Sequence, residues 1–378
     1  MRDPKGQAPQ PDGLTTASRV ETVARCSPAD PLLDTRRRAS ATTPARFPRA
    51  PPPAARRALA RADRSDRAFL ADKRAAAVVA DLVMPNLVHH VHGKKRVRVA
   101  RTWREGSVHH FVEWNVEVVI ESAMAHAYKT PSNEGMTTTD TTKNQCYVVA
   151  KAMQKRCAPE TYALALGKQF LDSYPLISAV EVRVEQAPWR RTAVLGADHD
   201  HGYTFTAPCL RVCAAVVSRT KPPAVRSGMR NLRVLKTTQS GYEGFLVDKH
   251  TALKDTRERI FATAVDVDWT WSKPPGCYDG AYDGVYDALA ENFFGPPRGG
   301  VYSPSVQYTL YQMGTAAVER VDGLEQITLT APNLHFIPAN PPGAAPFADD
   351  VYVATSEPHG QISCTVSAKH GFAPLAKL

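Results

Sequence analysis

Two alternating runs, Gly93 to Val99 and His110 to Ser122, precede two helix-like segments with no strand between them. That grouping restricts the fold more than any other feature. In the first run Val97 and Val99 alternate with Lys94, Arg96 and Arg98, the period of a half-buried strand whose polar face is cationic. The second run is expected to pair with it antiparallel. The Thr-Asp run from Met136 to Asn144 predicts the cap of a helix reaching about Arg156, and Pro159 opens another to about Ser173. Strands at about Ser178 to Trp189 and Tyr203 to Arg219 close this unit. After a linker, Thr220 to Gly228, the pattern partly repeats. Strands are expected near Leu232 and over Ala262 to Trp271, helices over Gly280 to Phe294 and Ser303 to Val321, and strands at about Gly323 to Thr330 and Ile362 to Ser367. Helices that are grouped, rather than alternating with strands, imply an α+β fold with antiparallel sheets and disfavour a parallel doubly wound one.

A chain of 378 residues with net charge +10 invites a nucleic-acid reading, but the charge is unevenly spread. Residues 1 to 85 hold 16 of the 47 Lys and Arg and only 9 of the 37 Asp and Glu. The basicity belongs to a tail rich in Pro, Ala, Arg and Ser, which buries too little to order itself, so no nucleic-acid partner is expected of the body. Within the tail, Arg64 to Met84 has the pattern of one amphipathic helix ended by Pro85. The domain expectation is therefore a tail over 1–85 and two halves over 86–222 and 223–378. No run of about eighteen apolar residues exists, so no membrane span is expected. Seven scattered cysteines without a CxxC pair fit a reduced compartment; Cys209 and Cys213 are expected to share one strand face as small core residues.

Several stretches carry candidate chemistry. From Leu235 to Trp271 a polar turn, a short helix and a strand are expected, with Gly241 and Gly244 flanking Tyr242 and Glu243 so that Tyr242 stands out as a flat platform. Arg259 brings a planar cation near it, a pairing that suits a small, flat anion. Ser303 at a cap, Pro304 at the first helical position and Gln307 behind them describe an anion-receiving helix start. Asn333 and His335, two apart at a strand end, share a face. Capping accounts for one Thr or Asp near Asp140 and leaves other hydroxyls unexplained. The pairs His90 with His92 and His199 with His201 each lack a third ligand at an obvious spacing, so no metal is expected. No GxGxxG or Walker loop is present for a nucleotide cofactor.

Together these stretches resemble the urate oxidase (uricase) family. The likeness rests on Gly93-Lys94 with Val97-Arg98-Val99, Thr139-Asp140-Thr141 with Lys143-Asn144, Leu235 to Phe245 with Asp248, Arg259, Ser303 to Gln307, Pro332-Asn333 with His335, and Glu357 to Gly360. It spans about residues 92 to 378 and leaves the tail without a counterpart. The resemblance implies tandem T-fold (tunnelling-fold) halves and a homotetramer with sites at subunit interfaces. It implies oxidation of urate by O2 to 5-hydroxyisourate and hydrogen peroxide, with no cofactor and no metal. Residue by residue, it implies a proton relay of Lys94, Thr139 and His335. It also implies a urate clamp of Arg259, Gln307 and the Val306 backbone, with Asp140 and Thr139 arriving from a neighbouring chain. Asn333 with Thr139 would hold dioxygen, and Tyr242 would stack on the ring where the family has Phe. A lysine is a poor base at neutral pH, so the relay requires burial or like charge, here Arg96 and Arg98, to lower its proton affinity. The final Ala376-Lys377-Leu378 is a near match to the Ser-Lys-Leu address, which points to a peroxisomal import receptor and a peroxisomal location. The alternative is a catalytically weak T-fold scaffold that binds purines.

Overall fold

The computed structural model describes residues 85–368. The basic tail, its expected helix and the C-terminal tripeptide lie outside the described residues. Strands β1 (His92–Glu105) and β2 (Val108–Ser122) form the expected antiparallel pair, turning through Gly106. Strict alternation along β1 fails at one point. The register runs from Lys94 opposite Val118 to Val97 opposite Val116, so β1 carries an extra residue, and Arg96 takes a left-handed φ of 59°. Lys94 therefore shares a side with the buried Val118 and Val97, while Arg98, opposite Asn115, faces the other way. The expectation of Lys94, Arg96 and Arg98 on one face is corrected by this bulge. Gly93 makes the close approach possible, because a Cβ there would lie 1.9 Å from the Val118 carbonyl oxygen.

Helix α1 (Thr139–Ala152) is capped by Thr138, whose hydroxyl accepts from the Thr141 N–H. It stops short of the expected Arg156. Met153 turns extended, and its carbonyl accepts from Trp103 Nε1 at 2.9 Å and Arg101 at 3.2 Å, which ties the helix end to β1 instead. Helix α2 (Pro159–Ser173) begins at its proline as expected and buries Tyr162, Leu166 and Phe170. Strand β3 (Ile177–Gln186) follows. The expected strands over Ser178 to Trp189 and Tyr203 to Arg219 each overrun a boundary here. A separate hairpin, β4 (Trp189–Val194) and β5 (Ala197–Phe205), intervenes before β6 (Leu210–Ser218). Its turn puts Leu195 and Gly196 at φ 53° and 80°, the hairpin geometry that twists with the strands.

Strand β7 (Ala224–Lys236) begins inside the expected linker and is followed by β8 (Phe261–Trp271). β7 repeats the β1 device: its register shifts between Met229 and Leu232, with Asn231 at φ 57°. Helices α3 (Tyr278–Phe294) and α4 (Val306–Arg320) come next, then β9 (Leu324–Pro338), β10 (Tyr352–Thr355) and β11 (Gln361–Ser367). The main sheet is antiparallel in the order β1-β2-β3-β6-β7-β8-β9-β10, with β11 also on β9. The fold is thus α+β, built from two strand-strand-helix-helix-strand-strand units joined at β6 and β7. Each unit has its own apolar core. One gathers Trp114, Val118, Tyr162 and Phe170, with Trp114 stacked on Tyr162 at 4.6 Å; the other gathers Trp269, Leu289, Phe293 and Leu310. Cys213 belongs to the first core and Cys209, which precedes β6, to the second, so the two cysteines do not share a face.

A buried ionic cluster joins the two units. Arg211 on β6 donates to Glu160 of α2 at 2.7 Å and to Asp279 of α3 at 2.6 Å, and Ser227 of β7 donates to Glu160 at 2.9 Å. Glu160 is 1% exposed. Burial opposes the Arg211 charge, but Glu160 and Asp279 outweigh it and hold the guanidinium above its ordinary pKa. No helix among the described residues is long and apolar enough to cross a membrane.

Candidate functional site

The candidate residues fall into two groups, one in each half. In the first, the β1 bulge turns Lys94, half-buried, toward the start of α1, where its charge acts on Asp140. Asp140 accepts from Lys143 at 2.6 Å and from Asn144 at 3.0 Å, and the Lys143 bond is the main reason its carboxyl is held below the usual range. The threonine cluster separates into roles. Thr138 caps the helix, Thr142 donates to the Thr138 carbonyl, and Thr141 bonds Thr138, whereas the hydroxyl of exposed Thr139 has no hydrogen-bond partner among the described residues. His92 lies on the Lys94 side of β1, opposite Ile120. Burial lowers its pKa, and both ring nitrogens are shielded from solvent.

The second group is assembled by a segment expected to contain a short helix. That helix is absent: residues 237–260 are irregular, and backbone bridges hold them in place. Ser240 pairs with Ser303, with Gly241 N–H donating to the Ser303 carbonyl and Ser303 N–H to Gln239. Tyr242 and Thr256 exchange two backbone bonds of 2.7 and 3.1 Å. Gly241 is required, because a Cβ there would lie 2.7 Å from the Thr256 backbone carbonyl oxygen as well as 2.1 Å from the Tyr302 hydroxyl. Ser303 is not the helix cap. Ser305 is, accepting from the Tyr308 N–H at 3.1 Å, with Pro304 before the cap rather than at the first helical position. Buried Ser303 instead accepts from Lys236 Nζ and from Thr309, both at 2.8 Å. Lys236, its pKa pushed down to about 8 by burial, also donates to the carbonyls of Val301 and Phe293. This lysine, which pins the start of α4, has no sequence signature beyond its place at a strand end.

The result is a cationic, aromatic surface. Arg259 lies over the Tyr242 ring at 5.5 Å, and its Nε is buried without a partner. Burial lowers its pKa, and the Tyr242 and Tyr302 rings oppose that shift. Tyr242 stacks on Phe245 with centroids 5.0 Å apart and planes within 10°. At the nearby α4 start the cap engages Tyr308 and Thr309, so that among the described residues the Val306 and Gln307 N–H groups have no capping partner; the Gln307 side chain is exposed. Asn333 and His335 do share a face of β9. Asn333 stands opposite Thr263, on the core side of β8, and His335 opposite Thr355. Among the described residues, no hydrogen bond, ion pair or ring contact joins this group to Lys94, Thr139 or Asp140. Nor do they contain three His, Cys, Asp or Glu arranged to hold a metal ion. His199 Nδ1 accepts from the His201 backbone at 3.2 Å.

A family model described as Uricase matches residues 90–216 and 225–363. A uricase from Arabidopsis thaliana is 41% identical over 292 residues, covering 73% of this chain and 94% of that protein. One from Danio rerio is 35% identical over 280 residues, covering 74% and 93%. The crystal structure of uricase from Arthrobacter globiformis superposes with a TM-score of 0.69 at 27% identity, covering 77% of this chain and 98% of that one.

Proposed function

The chain belongs to the uricase family, and from that premise we propose how its residues oxidise urate. The observation that carries the reading is Arg259, a guanidinium with a buried, unpartnered Nε–H above an aromatic face and beside a helix start with free N–H groups. A planar anion with oxygen and nitrogen acceptors along its edges satisfies all three. Arg259 and Gln307 clamp the two edges of urate, the Val306 N–H adds a bond, and Tyr242 supports the ring from below. Charge-assisted bonds of this kind contribute about 1.5 to 3 kcal/mol each when desolvated. Urate supplies two electrons to dioxygen, which leaves as hydrogen peroxide, and a water adds its hydroxyl to give 5-hydroxyisourate. Asn333 holds the oxygen species above the ring. Lys94, Thr139 and His335 relay the protons, and Asp140 borders the same pocket.

The site is completed by a second copy of the chain. Two features support this: among the described residues the two groups make no contact within one chain, and β1 ends the sheet with one long edge unpaired. Edge pairing between two chains closes a barrel and brings the Lys94 group of one against the Arg259 group of the other, and two such barrels stack as a homotetramer. The C-terminal Ala-Lys-Leu addresses the enzyme to peroxisomes, where peroxide is destroyed.

Oxygen uptake by purified protein tests the activity. With urate and a metal chelator present, uptake is expected to match urate loss and peroxide formation one for one. No uptake above the protein-free rate would refute it.

A further inference from the structure

We propose that Phe245 is a positioning residue for urate, the lower layer of a two-ring platform that fixes the plane of Tyr242; this rests on the reading of Tyr242 as the ring support. The two rings are within 10° of parallel at 5.0 Å, an offset-stacked pair. A ring has two faces, so with Phe245 on one of them a planar ligand meets Tyr242 on the other, sharing the ring with Arg259, whose guanidinium carbon is 5.5 Å from the centroid. The connecting residues are built to hold this geometry. Tyr242 is bonded twice to Thr256, and Glu243 receives Arg257 Nε at 3.0 and 3.1 Å. Gly244 turns the chain at φ 70° while its N–H donates to Asp255 at 3.1 Å. Three consecutive residues are thus anchored to the strand-like segment 255–257, and the turn brings Phe245 against the Tyr242 ring.

The alternative explanation, that Phe245 fills an apolar core, does not fit. It belongs to neither core, and the residues after it, Leu246 and Val247, are 88% and 66% exposed. Among the described residues, Tyr242 is its one aromatic partner. With a lone tyrosine the platform would tilt about its side-chain torsions, and the clamp at Arg259 and Gln307 would meet a ligand in varied planes. Stacking acts on bound substrate before electrons move, so the layer contributes to binding more than to turnover.

The test is steady-state oxygen uptake against urate concentration for the wild type, Phe245→Leu, Phe245→Tyr and Tyr242→Ala, with assembly checked by size exclusion. Phe245→Leu is expected to raise KM about three- to tenfold with kcat within about twofold, the scale of one aromatic pair, and Phe245→Tyr to recover most of that loss. Phe245→Met fills similar space without a flat face and carries the same test should the Leu variant fail to assemble. An unchanged KM in the ringless variants, or a loss confined to kcat, overturns the proposal while a raised KM in Tyr242→Ala leaves the site reading intact. An unchanged KM in Tyr242→Ala overturns both.

Discussion

Lys94→Met is expected to lower urate turnover by about 10²- to 10⁴-fold, the range that a positioned acid or base contributes, while the subunits still assemble. The methionine keeps the unbranched, apolar stem that fits beside Val118 and removes only the amine. Geometry sets the size of the effect. The β1 bulge puts Lys94 and Arg98 on opposite faces and leaves the amine near enough to the start of α1 for its charge to act on Asp140, the residue after Thr139. Steady-state kcat by oxygen uptake, with size exclusion to verify assembly, decides the matter. Turnover within threefold of wild type would remove Lys94 from the relay.

The second large effect concerns stability. Arg211→Ala leaves Glu160, 1% exposed, with Ser227 as its remaining partner, and also strips Asp279 of its buried contact. Breaking a buried pair from one side costs about 3 to 5 kcal/mol, because the residual charge stays desolvated. The cluster ties α2, β6, β7 and α3 together, so the loss should appear as one lowered unfolding transition rather than as a loosened loop. Removing both charges in Arg211→Leu with Glu160→Leu should recover more than half of the loss, since the fully buried carboxylate is then gone and the one left, Asp279, is 35% exposed and reaches water. Urea midpoints read by tryptophan fluorescence test this. An Arg211→Ala midpoint equal to wild type would mean that water reaches Glu160.

Much of this was legible in the residues. Alternation in β1, β2 and β8, the proline at the start of α2 and the i, i+2 placement of Asn333 and His335 follow directly from periods and propensities. The errors have local causes. Asn231 is a residue type that tolerates a left-handed φ, but Arg96 is not, so the β1 bulge had no sequence mark. Ser303 and Ser305 are equivalent as cap candidates until Lys236 and Thr309, from separate elements, draw Ser303 inward. The β4–β5 hairpin is largely exposed and lacks the apolar face that alternation detects. The segment after Lys236 is shaped by bridges to residues 256 and 303, contacts that no local pattern encodes. The proposal that the site residues divide between chains rests on family resemblance and not on any periodicity.

Complementation between two inactive chains tests that division most directly. Lys94→Met and Arg259→Ala chains, each inactive alone, are coexpressed in equal amounts, and hybrids are verified by capture through two different tags. If each site takes Lys94 from one chain and Arg259 from its neighbour, every hybrid pair rebuilds one intact site of two. Random pairing then restores about a quarter of wild-type oxygen uptake in the mixed population. Verified hybrids with no recovered activity would contradict the shared site and place the whole reaction within a single chain.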